Sequence, residues 1–145
     1  MSAKKERELF AANLDGHVEA ESRILREYRA LAEKVKDGTI SFLIDLILTE
    51  EEQHHFMLRT MARWLREPSG NRGLHGLESA GRDELLRHTR RLREHERETI
   101  NACRNYKSQV PLEDPDLFAA LLDAMILDSE KHEKLLLAVE SLTKA

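Results

Sequence analysis

The chain has 145 residues, the size of one domain, and 41% of them are hydrophobic, enough for a single core. A net charge of −4 spread over a mixed-sign 34% of charged residues offers nothing to a polyanion, so nucleic acid is not expected as a partner. Apolar runs are short, Phe42-Leu43-Ile44 being cut by Asp45, so no membrane span is expected either. Six glycines and three prolines, against abundant Leu, Ala, Glu, Arg and Lys, favour long helices. The N-terminus, MSAKKERELF, lacks the apolar stretch of a signal peptide, and the one cysteine, Cys103, has no internal partner. Both point to a reducing cytoplasm.

Apolar residues recur at three- and four-residue spacing in four segments. The first is predicted as a helix from about Lys4 to Lys36, with an inward stripe of Phe10, Leu14, His17, Glu21, Ile24, Tyr28, Leu31 and Val35. Asp37-Gly38 reads as its terminator. The second helix runs from about Thr39 to Arg66, with Leu43 or Ile44, Ile47, Glu51, His54, Leu58, Met61 and Leu65 facing inward. Residues 67–79 (EPSGNRGLHGLES) form the only long connection, long enough either to run back along a helix or to turn locally. The third helix spans about Gly81 to Gln109, with Leu85, His88, Leu92, His95, Thr99, Ala102 and Tyr106 inward. Asp114-Pro115 is a start signal, an acid cap before a proline at the first helical position. The fourth helix continues to about Leu142. The expected fold is therefore all-α, a four-helix bundle within one domain, residues 1–145.

Sliding the chain on itself by 78 residues brings like onto like without a gap. Leu14 meets Leu92, His17 meets His95, Arg26 meets Arg104 and Tyr28 meets Tyr106. Further on, Leu43 meets Leu121, Asp45 meets Asp123, Glu52 meets Glu130, His54 meets His132 and Leu58 meets Leu136. Chance accounts for leucines in register, but poorly for two histidine pairs, a tyrosine pair and an aspartate pair. The chain reads as two related helical hairpins.

Carboxylates and imidazoles on an inward stripe need partners, because burying them alone costs several kcal/mol (about 2–7 for a neutral polar group, more for a charge). Glu51 and His54 are three apart and share a helix face, and Glu21 lies at a similar height on an antiparallel neighbour. One carboxylate plus Glu-x-x-His is half of the dimetal carboxylate site built in bundle cores. Oxygen donors with an imidazole suit iron or manganese. The plainer reading keeps Glu50 to His55 as a solvated acidic face. Tyr28 with Asp45, and Tyr106 with Asp123, lie at matching heights and are expected to hydrogen-bond. Arg87, Arg90, Arg91, Arg93 and Arg97 alternate with Glu94, Glu96 and Glu98, as on a salt-bridged surface.

The segment Glu21-Ser22-Arg23-Ile24-Leu25-Arg26-Glu27-Tyr28 resembles the rubrerythrin pattern of a ligand glutamate seven residues before a tyrosine. Glu50-Glu51-Glu52-Gln53-His54-His55 resembles the acidic Glu-x-x-His segment of the same ferritin-like superfamily. The resemblance covers the whole chain as architecture, but its sharp motifs lie in the first hairpin. No Cys-x-x-Cys pair is present, so the rubredoxin-like part of full rubrerythrins is missing. The resemblance implies bound Fe or Mn, as one or two ions, and oxidase or peroxide-reducing chemistry. A homo-oligomer, a dimer or larger, is also expected, and Trp64, beside the glycine-rich connection, reads as packing at a bundle end or else as an oligomer contact.

The family site uses four carboxylates and two histidines, and here the second hairpin departs from it. Glu21 maps to Thr99 and Glu51 to Ser129, while His132 keeps its place. Glu96, one turn before Thr99, and Asp128, one turn before His132, are candidate replacements. His17 and His95 are candidate extra imidazoles. A single ion held by His17, Glu21, Glu51 and His54 is one arrangement. A bundle that has lost its metal and serves as an interaction or scaffold protein is the other reading.

Overall fold

A computed structural model of the chain describes residues 1–67, 78–113 and 115–144. The fold is all-α: four long helices and, among the described residues, no strand. The chain divides into two compact units, Met1–Arg72 and Gly73–Ala145. Each is a helical hairpin, α1 (Ala3–Ala32) with α2 (Gly38–Arg66), and α3 (Ser79–Lys107) with α4 (Pro115–Lys144). Among the described residues no helix is long and apolar enough to cross a membrane.

Local chemistry sets the helix ends. The Ser2 hydroxyl accepts from the Lys5 N–H at 3.3 Å and starts α1. Asp37 Oδ1 accepts from the N–H groups of Thr39 and Ile40, both at 2.9 Å. Asp37-Gly38 is therefore a start rather than the expected stop. A carboxylate satisfies the free donors of a helix N-terminus and complements its positive end. Helix α1 ends at Ala32, short of the expected Lys36. The expected cap Asp114 and the path of the 67–79 connection, from 68 to 77, lie outside the described residues.

In each hairpin the two helices run antiparallel. Arg66, at the end of α2, reaches Asp15 at 2.7 Å and Glu8 at 3.1 Å near the start of α1. Nearer the turn, Arg29 meets Glu52 at 2.9 Å. In the second unit Arg90 meets Glu140 at 3.0 Å, and Lys107 meets Asp123 at 2.6 Å. Asp123 thus takes a lysine where Tyr106 was expected, and both Tyr106 and Tyr28 are exposed.

The buried seam of the first hairpin consists of Ala11, Val18, Ile44, Leu48, His55 and Ala62. Ala11 and Val18 are seven apart, as are Leu48, His55 and Ala62, the repeat of two helices in a close left-handed pair. Small residues let the backbones approach. The broad stripe expected to face inward is a neighbouring face, on which Phe10, Ile24, Tyr28, Leu31, Ile47 and Met61 are exposed. The second hairpin buries Thr89, Ile100, Cys103, Ser129, Glu140 and Thr143. The 78-residue shift carries α2 onto α4 to within one residue, and takes buried Ala11 to buried Thr89 and buried Ala62 to buried Glu140. The repeat read in the sequence is therefore also a repeat of helix length and seam position.

Candidate metal site in the first hairpin

Glu21 sits where the seam of α1 and α2 meets the open face beside it. Its side chain is 27% exposed, and its two oxygens turn opposite ways. Oε1 lies 2.8 Å from Nε2 of His55, across the seam. Oε2 lies 3.2 Å from Nε2 of His17, one turn earlier on the same helix. The Glu51 carboxyl is within hydrogen-bonding reach of Glu21, and Oε2 of Glu51 lies 3.3 Å from Nδ1 of His54. Two carboxylates and three imidazoles thus form one chain of contacts, His17–Glu21–Glu51–His54 with His55 behind Glu21.

Partial burial pushes the Glu21 pKa upward. The hydrogen bonds with His55 and Glu51, and the charges of His55 and His17, outweigh it and hold the carboxyl below its ordinary value. An open depression of about 260 Å3 adjoins the group, lined by His17, Glu21, His54, Met57, Leu58 and Met61.

The expected ligands His17, Glu21, Glu51 and His54 are brought together by one hairpin. His54 is not in the seam: its side chain is 51% exposed, while that of the neighbouring His55 is 8% exposed. Consecutive residues point about 100° apart on a helix, so only one of them faces α1. His55 was missed because the Glu-x-x-His spacing singles out His54. The usable signal was its place in the Leu48, His55, Ala62 heptad.

The second hairpin assembles less. His132 Nδ1 lies 3.3 Å from Glu96 Oε1, which places those two candidates side by side. Asp128 turns to Lys131 at 3.4 Å, and His95 lies 3.8 Å from Glu98. The Thr99 hydroxyl donates to the His95 carbonyl at 3.1 Å, and Ser129 is buried. The position matching His55 is Glu133, whose Oε2 accepts from Arg97 at 2.8 Å. Its Oε1 is buried without a hydrogen-bond partner among the described residues.

Among the described residues, no group of three or more His, Cys, Asp or Glu side chains is already arranged to hold a metal ion. The donors of the first hairpin are turned onto one another. The donor set itself fits one divalent ion, since Glu21 and Glu51 balance its charge, and His17 and His54 line the same depression on exposed side chains. Comparison of the chain with protein-family models, curated proteins and solved structures finds no match.

Proposed function

We propose that the chain is a ferritin-like, rubrerythrin-type metal-binding protein that holds one divalent ion, Fe or Mn, in its first hairpin. Glu21 and Glu51 would supply the charge, with His17 and His54 as the imidazole donors. The observation that carries this reading is the side-by-side placement of the two carboxylates, each with its own histidine, at the edge of an open depression. Two carboxylates neutralise one divalent ion but not two, so a full dimetal centre is not part of the proposal. An iron or manganese ion with open coordination positions supplies oxidase or peroxide-reducing chemistry when bound, and the depression leaves room for a small oxidant. Exposed Phe56 and Trp64 support a homo-oligomer.

Calorimetric titration of the purified protein with Mn2+, or anaerobically with Fe2+, tests the proposal. One ion per chain is expected, lost in Glu51→Ala. An unmodified chain that takes up neither ion overturns it.

The second reading, a bundle without metal acting as a scaffold, is favoured by Thr99 and Ser129 in the second hairpin and by the mutual hydrogen bonding of the donors in the first. It predicts no ion uptake and no loss of folding when Glu51 is replaced.

A further inference from the structure

We infer that His55 is the positioning residue of the site: its Nε2–H holds Oε1 of Glu21 and thereby presents Oε2 to the open face. The inference rests on the proposed metal site and assigns a role to a residue outside its ligand set.

Three observations lead to it. His55 is almost fully buried, in the seam with Leu48 and Ala62, so its ring is fixed by packing. Its contact with Glu21 is the shortest in the group, 2.8 Å against 3.2 Å for His17 and 3.3 Å for the His54–Glu51 pair. Its partner oxygen, Oε1, meets a ring that does not line the depression, whereas Oε2 meets His17, which does. His17, by contrast, meets Oε2 from an exposed position on the same helix. A ring nitrogen that donates a hydrogen to Glu21 has no lone pair left for an ion, so at that nitrogen His55 orients and does not ligate. A glutamate swings on three side-chain torsions. Fixing one of its oxygens from the dry side removes most of that freedom before the ion arrives, which is how groups behind a ligand raise affinity. Imidazole in the seam is otherwise hard to account for. A leucine or methionine would fill the same space without a polar group to satisfy.

The second hairpin supports the assignment by contrast. Its matching residue, Glu133, faces Arg97, and its matching residue for Glu21 is Thr99. The orienting group and the group it orients are absent together.

The test compares Mn2+ affinity of the unmodified chain with His55→Gln and His55→Leu, with helix content of each followed by circular dichroism. His55→Leu is expected to bind about 10- to 100-fold more weakly. His55→Gln, whose amide N–H reaches a similar distance, is expected to recover most of that loss. Equal affinity for His55→Leu and the unmodified chain overturns the inference, and so does a folded His55→Gln as weak as His55→Leu. If the leucine variant loses helix content, His55→Gln decides alone, with retained affinity as the expected result and lost affinity as the overturning one. Nitrogen-15 chemical shifts of the metal-free chain near neutral pH are expected to show a hydrogen on Nε2 of His55, and a bare Nε2 overturns the inference. That measurement holds even if the unmodified chain binds no ion, a result that would overturn the proposed function instead.

Discussion

The first hairpin closes on a nearly apolar seam that contains one imidazole, whereas the second closes on a seam crossed by ion pairs. In the first, Ala11, Val18, Ile44, Leu48 and Ala62 surround His55, and the charged groups lie at the margin. In the second, Glu140 is buried and held by three cations, Arg90 at 3.0 Å, Arg93 at 2.9 Å and Lys144 at 3.1 Å, with Arg97 on Glu133 further along. The two units share helix lengths and seam positions, so the difference lies in the side chains placed on a common frame. One hairpin keeps a polar group that addresses the carboxylate of Glu21. The other uses its polar groups to hold its own helices together.

The repeat supplies a matched control for every substitution. Ile100 is wholly buried, and its counterpart is Ser22, whose hydroxyl donates to the Val18 carbonyl at 2.7 Å within its own helix. Ile100→Ala is expected to lower unfolding free energy by about 2–5 kcal/mol. Ser22→Ala is expected to change it by less than about 1 kcal/mol, because that hydroxyl only bonds back to the preceding turn. Chemical denaturation followed by circular dichroism measures both. Equal effects would mean that the hairpins do not differ in how their seams are filled.

The next contrast concerns ion binding. Glu51→Ala is expected to weaken Mn2+ binding by more than about a hundredfold, beyond what loss of an outer group causes. At the matched position Ser129→Ala is expected to leave Mn2+ affinity unchanged within about twofold, because a hydroxyl adds no charge for an ion. A large effect of Ser129→Ala would place metal chemistry in both hairpins.

Acid should separate the units as well. The hydrogen bond from Arg90, then that from Lys144, holds the Glu140 carboxyl below its ordinary value of 4.5, against the opposing effect of burial, with the charges of Lys144 and Arg93 adding to the lowering. A depressed carboxylate contributes stability that is present in full above pH 4.5 and is lost as the pH falls through its folded value. Melting temperature measured from neutral pH downward should therefore fall more gently in Glu140→Gln than in the unmodified chain. The matched residue in the first hairpin is Ala62, which carries no charge to titrate. Parallel acid profiles for the two proteins would remove Glu140 from the account.

The smallest effect is at Gly16, exposed in the interior of α1, where an added Cβ meets nothing within 4 Å. Gly16→Ala should stabilise the protein by about 0.5–1 kcal/mol. Glu94→Ala, at the matched position, should do so by no more than a few tenths, since glutamate and alanine are both good helix formers. Thermal unfolding distinguishes the two.

The four helices, their pairing and the repeat were legible because they rest on periodicity and on register, which a sequence states directly. The cap at Asp37 was misread because Gly38 serves equally well past the end of one helix and at the start of the next. The seam was harder. A helix such as α2 carries two adjoining faces with apolar residues, and periodicity does not say which of them meets the neighbouring helix. Leu48, His55 and Ala62, spaced by sevens, are the face that meets α1. Of the candidate residues, Glu21, Glu51, His54 and His17 do share one hairpin, as their spacing in the sequence implied. What remained hidden was the direction of each carboxylate oxygen, which depends on the buried ring behind it.

The tight link between Ala32 and Gly38, capped by Asp37, also says how the first hairpin is assembled in time. Helices joined so closely meet first beside the turn, where the least chain has to be ordered, and pairing spreads outward from there. Contacts this local in sequence belong to the class that forms in microseconds to milliseconds. On that course the Arg29–Glu52 contact near the turn closes early, and the His55–Glu21 contact in mid-seam follows. The clasp of Arg66 on Glu8 and Asp15, farthest from the turn, is expected to close last and to open first. The carboxylates are therefore gathered before the far end of the hairpin is shut.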